Sequence, residues 1–159
     1  MVTHIIFAAV LSALLRLGSA HEVTLSPTIG IDLETGYTQA ATISSGIAYD
    51  LVFSCGPDGT EFLRALGSTA WTPSPNTDFS VGYEVLKGAS YASPAHASGY
   101  PDIFHTWKNL VPAVGTIYLI RTTEGNLAKV RIAGYHSVSP NPYVCRSLSL
   151  EYVLYRGTS

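Results

Sequence analysis

In the last third of the chain two apolar runs flank a polar turn, and the second run carries charges on alternate positions. Ile117, Leu119 and Arg121 alternate with Tyr118, Ile120 and Thr122, and a polar turn follows at Glu124-Gly125-Asn126. Beyond it Ala128, Val130 and Ile132 alternate with Lys129 and Arg131. A period of two is that of a strand with one face on a core. The pattern predicts a hairpin with Ala128, Val130 and Ile132 inward and Lys129 and Arg131 toward water. The closing stretch SLSLEYVLY puts Leu148, Leu150, Tyr152 and Leu154 on one face and Ser149, Glu151 and Val153 on the other. Three successive strands of this kind predict an antiparallel meander.

Upstream the pattern is weaker. HEVTLSPTIGIDLETGY, from His21 to Tyr37, reads as an opening strand and turn. GIAYDLVFSC, from Gly46 to Cys55, is β-branched and aromatic, and Gly56-Pro57-Asp58-Gly59 ends it. This strand fits either a sheet edge able to pair between copies or the middle of one sheet. TEFLRALGSTAW fits a short helix or a strand, and Gly67-Ser68-Thr69 argues against a long helix. Residues 72–112 are irregular and rich in Pro, Ser, Gly and Tyr. A loop of that length in a compact domain usually carries function. No segment keeps a helical period, so the expected class is all-β: antiparallel sheets, sandwich-like, with little helix.

Composition narrows the class further. Only 13% of the 159 residues are charged against 47% apolar, with ten Tyr and fourteen Gly. That balance suits an extracellular β-protein and opposes disorder. The net charge of -2 supplies no basic footprint for nucleic acid. The apolar run Ile5–Leu15 is too short to span a bilayer, so no membrane span is expected in the mature chain. Gly18 and Ala20 follow it at the spacing of a cleavage site. Residues 1–20 therefore read as a signal peptide and 21–159 as one secreted β-rich domain, extracellular or at the cell surface. No Cys follows Ala20, so no acyl anchor is expected. Cys55 and Cys145 make an even pair, which in an oxidising compartment predicts one disulfide. Closing so long a loop is worth roughly 4 kcal/mol in the chain-entropy account.

YLIRTTEGNLAKVRIAGY followed by SLSLEYVLY resembles the C-terminal hairpin of the HmuY-type haem-binding proteins. The resemblance rests on Arg121, Thr122, Gly125, Ala128, Lys129, Val130, Tyr135 and Tyr152, and AYDLVFS, from Ala48 to Ser54, is similar to an earlier strand of that family. It implies a mostly β fold and haem captured between hairpins through two side-chain ligands from loops.

Candidate chemistry centres on histidine. His105, in DIFHTW, and His96, in SPAHASGY, are the expected haem ligands, with Tyr100 and Trp107 among the aromatic residues that would wall a flat apolar ligand. Cleavage after Ala20 would leave His21 as the first residue. A terminal His offers a metal its amine and its ring, and His96, His105 or His136 would complete a three-nitrogen copper site. No G-x-S-x-G, Walker or dinucleotide fingerprint occurs, and the acids are scattered, so binding and not catalysis is expected. Asp32-Leu33-Glu34 and Asp58-Gly59 read as turns. The expected partners are a small apolar ligand or, in a self-assembling surface or filament protein, copies of the chain itself.

Overall fold

The computed structural model describes residues 19–40, 49–56, 59, 61–75, 77–80, 82–91, 109–110, 113–137 and 144–157. Its strands are β1 (His21–Leu25), β2 (Ile29–Ile31), β3 (Thr38–Ala40), β4 (Leu51–Cys55), β5 (Glu61–Ala65), β6 (Ala70–Pro73), β7 (Asn109–Leu110), β8 (Ile117–Arg121), β9 (Leu127–His136) and β10 (Ser147–Tyr155). One short helix, α1 (Tyr83–Gly88), lies between β6 and β7. The strands form two antiparallel sheets, in order β1-β10-β9-β8-β6 and β3-β2-β4-β5-β7. The expected all-β class holds.

The first sheet contains the meander read from the sequence. β8 and β9 join through the turn at Gly125, whose φ of 88° is left-handed, a conformation glycine adopts without strain. Cross-strand pairs sort the faces: Tyr118 with Val130 and Ile120 with Ala128 inward, Leu119 with Lys129 outward. The register between β9 and β10 slips by one residue: Leu150 faces Ile132 while Ser149 faces Gly134, leaving Ala133 extra. This bulge lets Ile132 and Tyr135, three positions apart, both turn to the inner face.

β4 lies between β2 and β5, so its central reading is the right one. TEFLRALGSTAW is neither one helix nor one strand. It is β5 and β6, split by a turn at Gly67 (φ 57°) that carries the chain from the second sheet to the first. β2 packs tightly on its neighbour, since a Cβ on Gly30 would lie 2.9 Å from the Tyr49 ring.

The core sits between the sheets. Leu25, Ile31, Leu51, Phe53, Leu63, Ile120, Val130, Ile132, Leu148 and Leu150 are essentially inaccessible there. A second cluster covers the outer face of the first sheet: Leu86 of α1 packs with Ile117, Leu119, Val153 and Tyr155, flanked by Phe79, Tyr83 and Tyr91. The expectation that Lys129 faces water is therefore overturned. Lys129 is on the outer face, as the alternation requires, but only 6% exposed. Its ammonium donates to the Phe79 carbonyl and lies 4.8 Å from the Phe79 ring centre. Arg131 lies nearer the rim, paired with Glu151.

Candidate functional site

Within residues 72–112, the stretch read from the sequence as irregular, two described points are anchored on the sandwich. Tyr91 is the first. Its hydroxyl donates to the Leu86 carbonyl at 2.7 Å and its ring carries the Arg121 guanidinium at 5.7 Å. Burial pushes its phenol up to about 12, against the pull of Arg121, so it stays a neutral donor. The second anchor is β7, whose Asn109 and Leu110 pair with Arg64 and Leu63 of β5. The 17 residues between, 92–108, thus link the outer face of the first sheet to the β7 edge of the second. His96, Tyr100, His105 and Trp107 belong to this segment and lie outside the described residues. Trp71 of β6 stands edge-on to Tyr118, ring centres 5.6 Å apart. Its indole Nε1 is buried without a hydrogen-bond partner, an unmet donor.

His21 and His136 are described, and they stand apart. His21 opposes Tyr152 and stacks on its ring at 5.2 Å. His136 opposes Ser147 and its Nε2 is 2.8 Å from Ser149 Oγ. Tyr152 and Ser147 are five residues apart on β10, roughly 17 Å at strand rise. The fold therefore does not bring His136 to His21.

Cys55 and Cys145 are joined, with Cα atoms 6.2 Å apart, as expected. The bridge ties the end of β4 to the approach to β10. Beside it Arg146 grips Glu61, Nη2 to Oε2 at 2.6 Å, and its guanidinium lies 4.0 Å from the Tyr135 ring centre. Burial works to raise the Glu61 carboxyl, but the Arg146 hydrogen bonds and charge outweigh it and hold it below its ordinary range. A disulfide of this kind belongs to an oxidising, extracytoplasmic setting. No helix among the described residues is long and apolar enough to cross a membrane.

One cluster escaped the sequence reading. Asp32 and Glu34, in the turn after β2, converge with Asp50, just before β4, their ligating atoms all within 4.8 Å. Asp50 is fully buried. Its Oδ1 accepts from Thr69 Oγ1 at 3.0 Å and from Thr123 N–H at 2.9 Å, and its Oδ2 accepts from Leu33 N–H at 2.9 Å. Asp32 does make the expected turn, capping Glu34 N–H, Thr35 N–H and the Thr35 hydroxyl. The available signal was the polar Asp50 heading the apolar run Leu51–Phe53.

No protein-family profile matches the chain, and no curated protein matches it. Solved structures do. A "putative lipoprotein" from Bacteroides fragilis is similar over 87% of this chain and 91% of its own, with 10% identity and a TM-score of 0.52. A "putative HmuY_like heme binding protein" from Bacteroides vulgatus is similar over 84% and 91%, with 13% identity and a TM-score of 0.49. The apo HmuY analog of Tannerella forsythia is similar over 89% and 99%, with 12% identity and a TM-score of 0.48. The first of these likenesses establishes a shared fold.

Proposed function

We propose that this chain is a secreted binding protein of HmuY-like type, without catalytic activity, that captures haem or a similar flat apolar ligand. The reading rests on one observation: Tyr91 and β7, the described residues that flank positions 92–108 with His96 and His105 among Tyr100, Phe104 and Trp107, are both held on the sandwich. A long connection fixed on a rigid frame is where binding side chains concentrate. The resemblance of the β8–β9–β10 sequence to the haem-binding family supports the choice of ligand. The neutral imidazoles of His96 and His105 would meet the iron, and Tyr100 and Trp107 would cover the porphyrin faces. Secretion after Ala20 fits the disulfide between Cys55 and Cys145.

Haem titration tests this. The purified domain is expected to shift the Soret band of added haem, with the shift weakened at least tenfold in affinity by His105→Ala and by His96→Ala. That factor corresponds to about 1.4 kcal/mol. An unchanged Soret band with wild-type protein removes haem from the account, and an unchanged affinity in both variants removes these ligands.

A further inference from the structure

The cluster of Asp32, Glu34 and Asp50 has an unmet requirement. Glu34 Oε2 is buried and receives no hydrogen bond, while Glu34 Oε1 takes one from Asn126 Nδ2 at 3.1 Å. Carboxylate oxygens of Glu34 and Asp50 lie within 4.8 Å of one another. Two ionised carboxylates this close repel one another, and a positive charge between them relieves the repulsion. A metal ion is one occupant and a proton the other.

The surrounding donors decide between them. The Asp50 oxygens already hold three N–H and O–H donors, and the Asp32 oxygens hold three more. A hard cation needs six or more oxygen ligands with lone pairs free to reach it, and donors crowd it out. A proton needs only one free lone pair on each carboxyl.

We propose that Asp50 is a carboxylic acid in mild acid, that its proton is shared with Glu34, and that this shared proton is a pH-sensitive latch between the two sheets. The latch is placed to hold them. Asp50 heads β4 in the second sheet, while Thr69 leads into β6 and Thr123 lies in the β8–β9 turn, both in the first. Leu33 ties the β2–β3 turn to the same carboxyl. Burial, above all, pushes Asp50 up to about 7, opposed by the Thr123 and Leu33 N–H groups and reinforced by Glu34. Burial also works to raise Glu34, but hydrogen bonds involving Thr122, Asn126, Asp50 and Glu124 outweigh it, so Glu34 is the charged partner. Burial and Glu34 together raise Glu124. Among the described residues, further charged or titratable neighbours are Asp32 in the same turn, Tyr152 of β10, Arg156 on the Glu34 carbonyl, and His21 of β1 behind Tyr152.

The sign follows from proton linkage. The folded state holds a proton on Asp50 that the unfolded chain releases at ordinary carboxyl pH, so stability falls as pH rises toward and through about 7. Melting of the whole domain is measured between about pH 5 and about pH 8, with EDTA and with millimolar Ca²⁺. Wild type is expected to melt several degrees lower at the upper pH, equally in EDTA and Ca²⁺. Asp50→Asn, whose amide can donate to Glu34 but no longer accepts from every donor that Asp50 holds, is expected to lose that pH difference. A carbon-13 carboxyl titration of wild type reads the group directly, whether or not the variant folds. An Asp50 midpoint in the ordinary carboxyl range overturns the proposal. So does a melting point raised by Ca²⁺ and lowered by EDTA, which would make the occupant a cation.

Discussion

Lys129 shows how far a two-residue period carries an argument. The alternation correctly puts it on the face opposite Val130, but which face is wet depends on what lies over it, and Phe79, Tyr83, Leu86 and Tyr91 lie over this one. The ammonium is accommodated because the covering segment offers a carbonyl and aromatic faces, the Phe79 ring at 4.8 Å and the Tyr155 ring at 5.8 Å. Such faces attract a desolvated cation by about 1–2 kcal/mol and repel an anion. Lys129→Glu is therefore expected to cost about 3 kcal/mol or more in urea unfolding, as an uncompensated buried charge does. Arg131→Ala, two positions along on the same face, removes an ion pair whose arginine side chain is 40% exposed and should cost about 1 kcal/mol or less. Equal losses in the two variants would mean that the segment over Lys129 contributes nothing to its burial.

At the scale of elements, legibility followed how local the cause was. β8, β9 and β10 were readable because alternate side chains of each reach the core between the sheets and the Gly125 turn is encoded on the spot. The bulge at Ala133 was not, because the slip exists only relative to β10. β5 and β6 merged into one ambiguous stretch, since Gly67 marks a change of sheet that only the partner strands define. The joining of Cys55 and Cys145 was readable by counting, whereas the acid cluster unites residues 32, 34 and 50 through tertiary packing alone. α1 is the extreme case. Six residues cannot sustain a helix in water, and no helical period announces this one. It stands because Leu86 is wholly buried on the outer face of the first sheet. Leu86→Ala is expected to cost about 2–5 kcal/mol. It should also speed amide exchange in α1 far more than in β9, whose hydrogen bonds lie within the sheet. Uniform loss of protection across both would show that the outer cluster is not a separate packing unit.

For the molecule as a whole, β4 is the strand that joins the layers, and it does so at both ends. Asp50 at its start reaches Thr69 and Thr123 of the first sheet, and Cys55 at its end is bonded to Cys145 beside β10. The two ties differ in kind. The disulfide acts mainly by restricting the unfolded chain, through a separation of 90 residues, so removing it should cost about 2–5 kcal/mol at any pH. The Asp50 tie acts in the folded state and depends on a proton, so its contribution is present in mild acid and lost as pH rises through about 7. Glu34 and Glu61, held below their ordinary range, act in the opposite sense, and their share disappears only in stronger acid. Residues 50 and 55 are five positions apart on an extended strand, roughly 17 Å, beyond the distance at which side chains usually couple. Asp50→Asn and the double Cys55→Ala, Cys145→Ala variant should thus be additive within about 0.5 kcal/mol at each pH. The pH slope should vanish with Asp50 and survive the loss of the disulfide. A coupling well above that limit would show β4 acting as one rigid strut, strained or relaxed end to end, and the two ties as a single device.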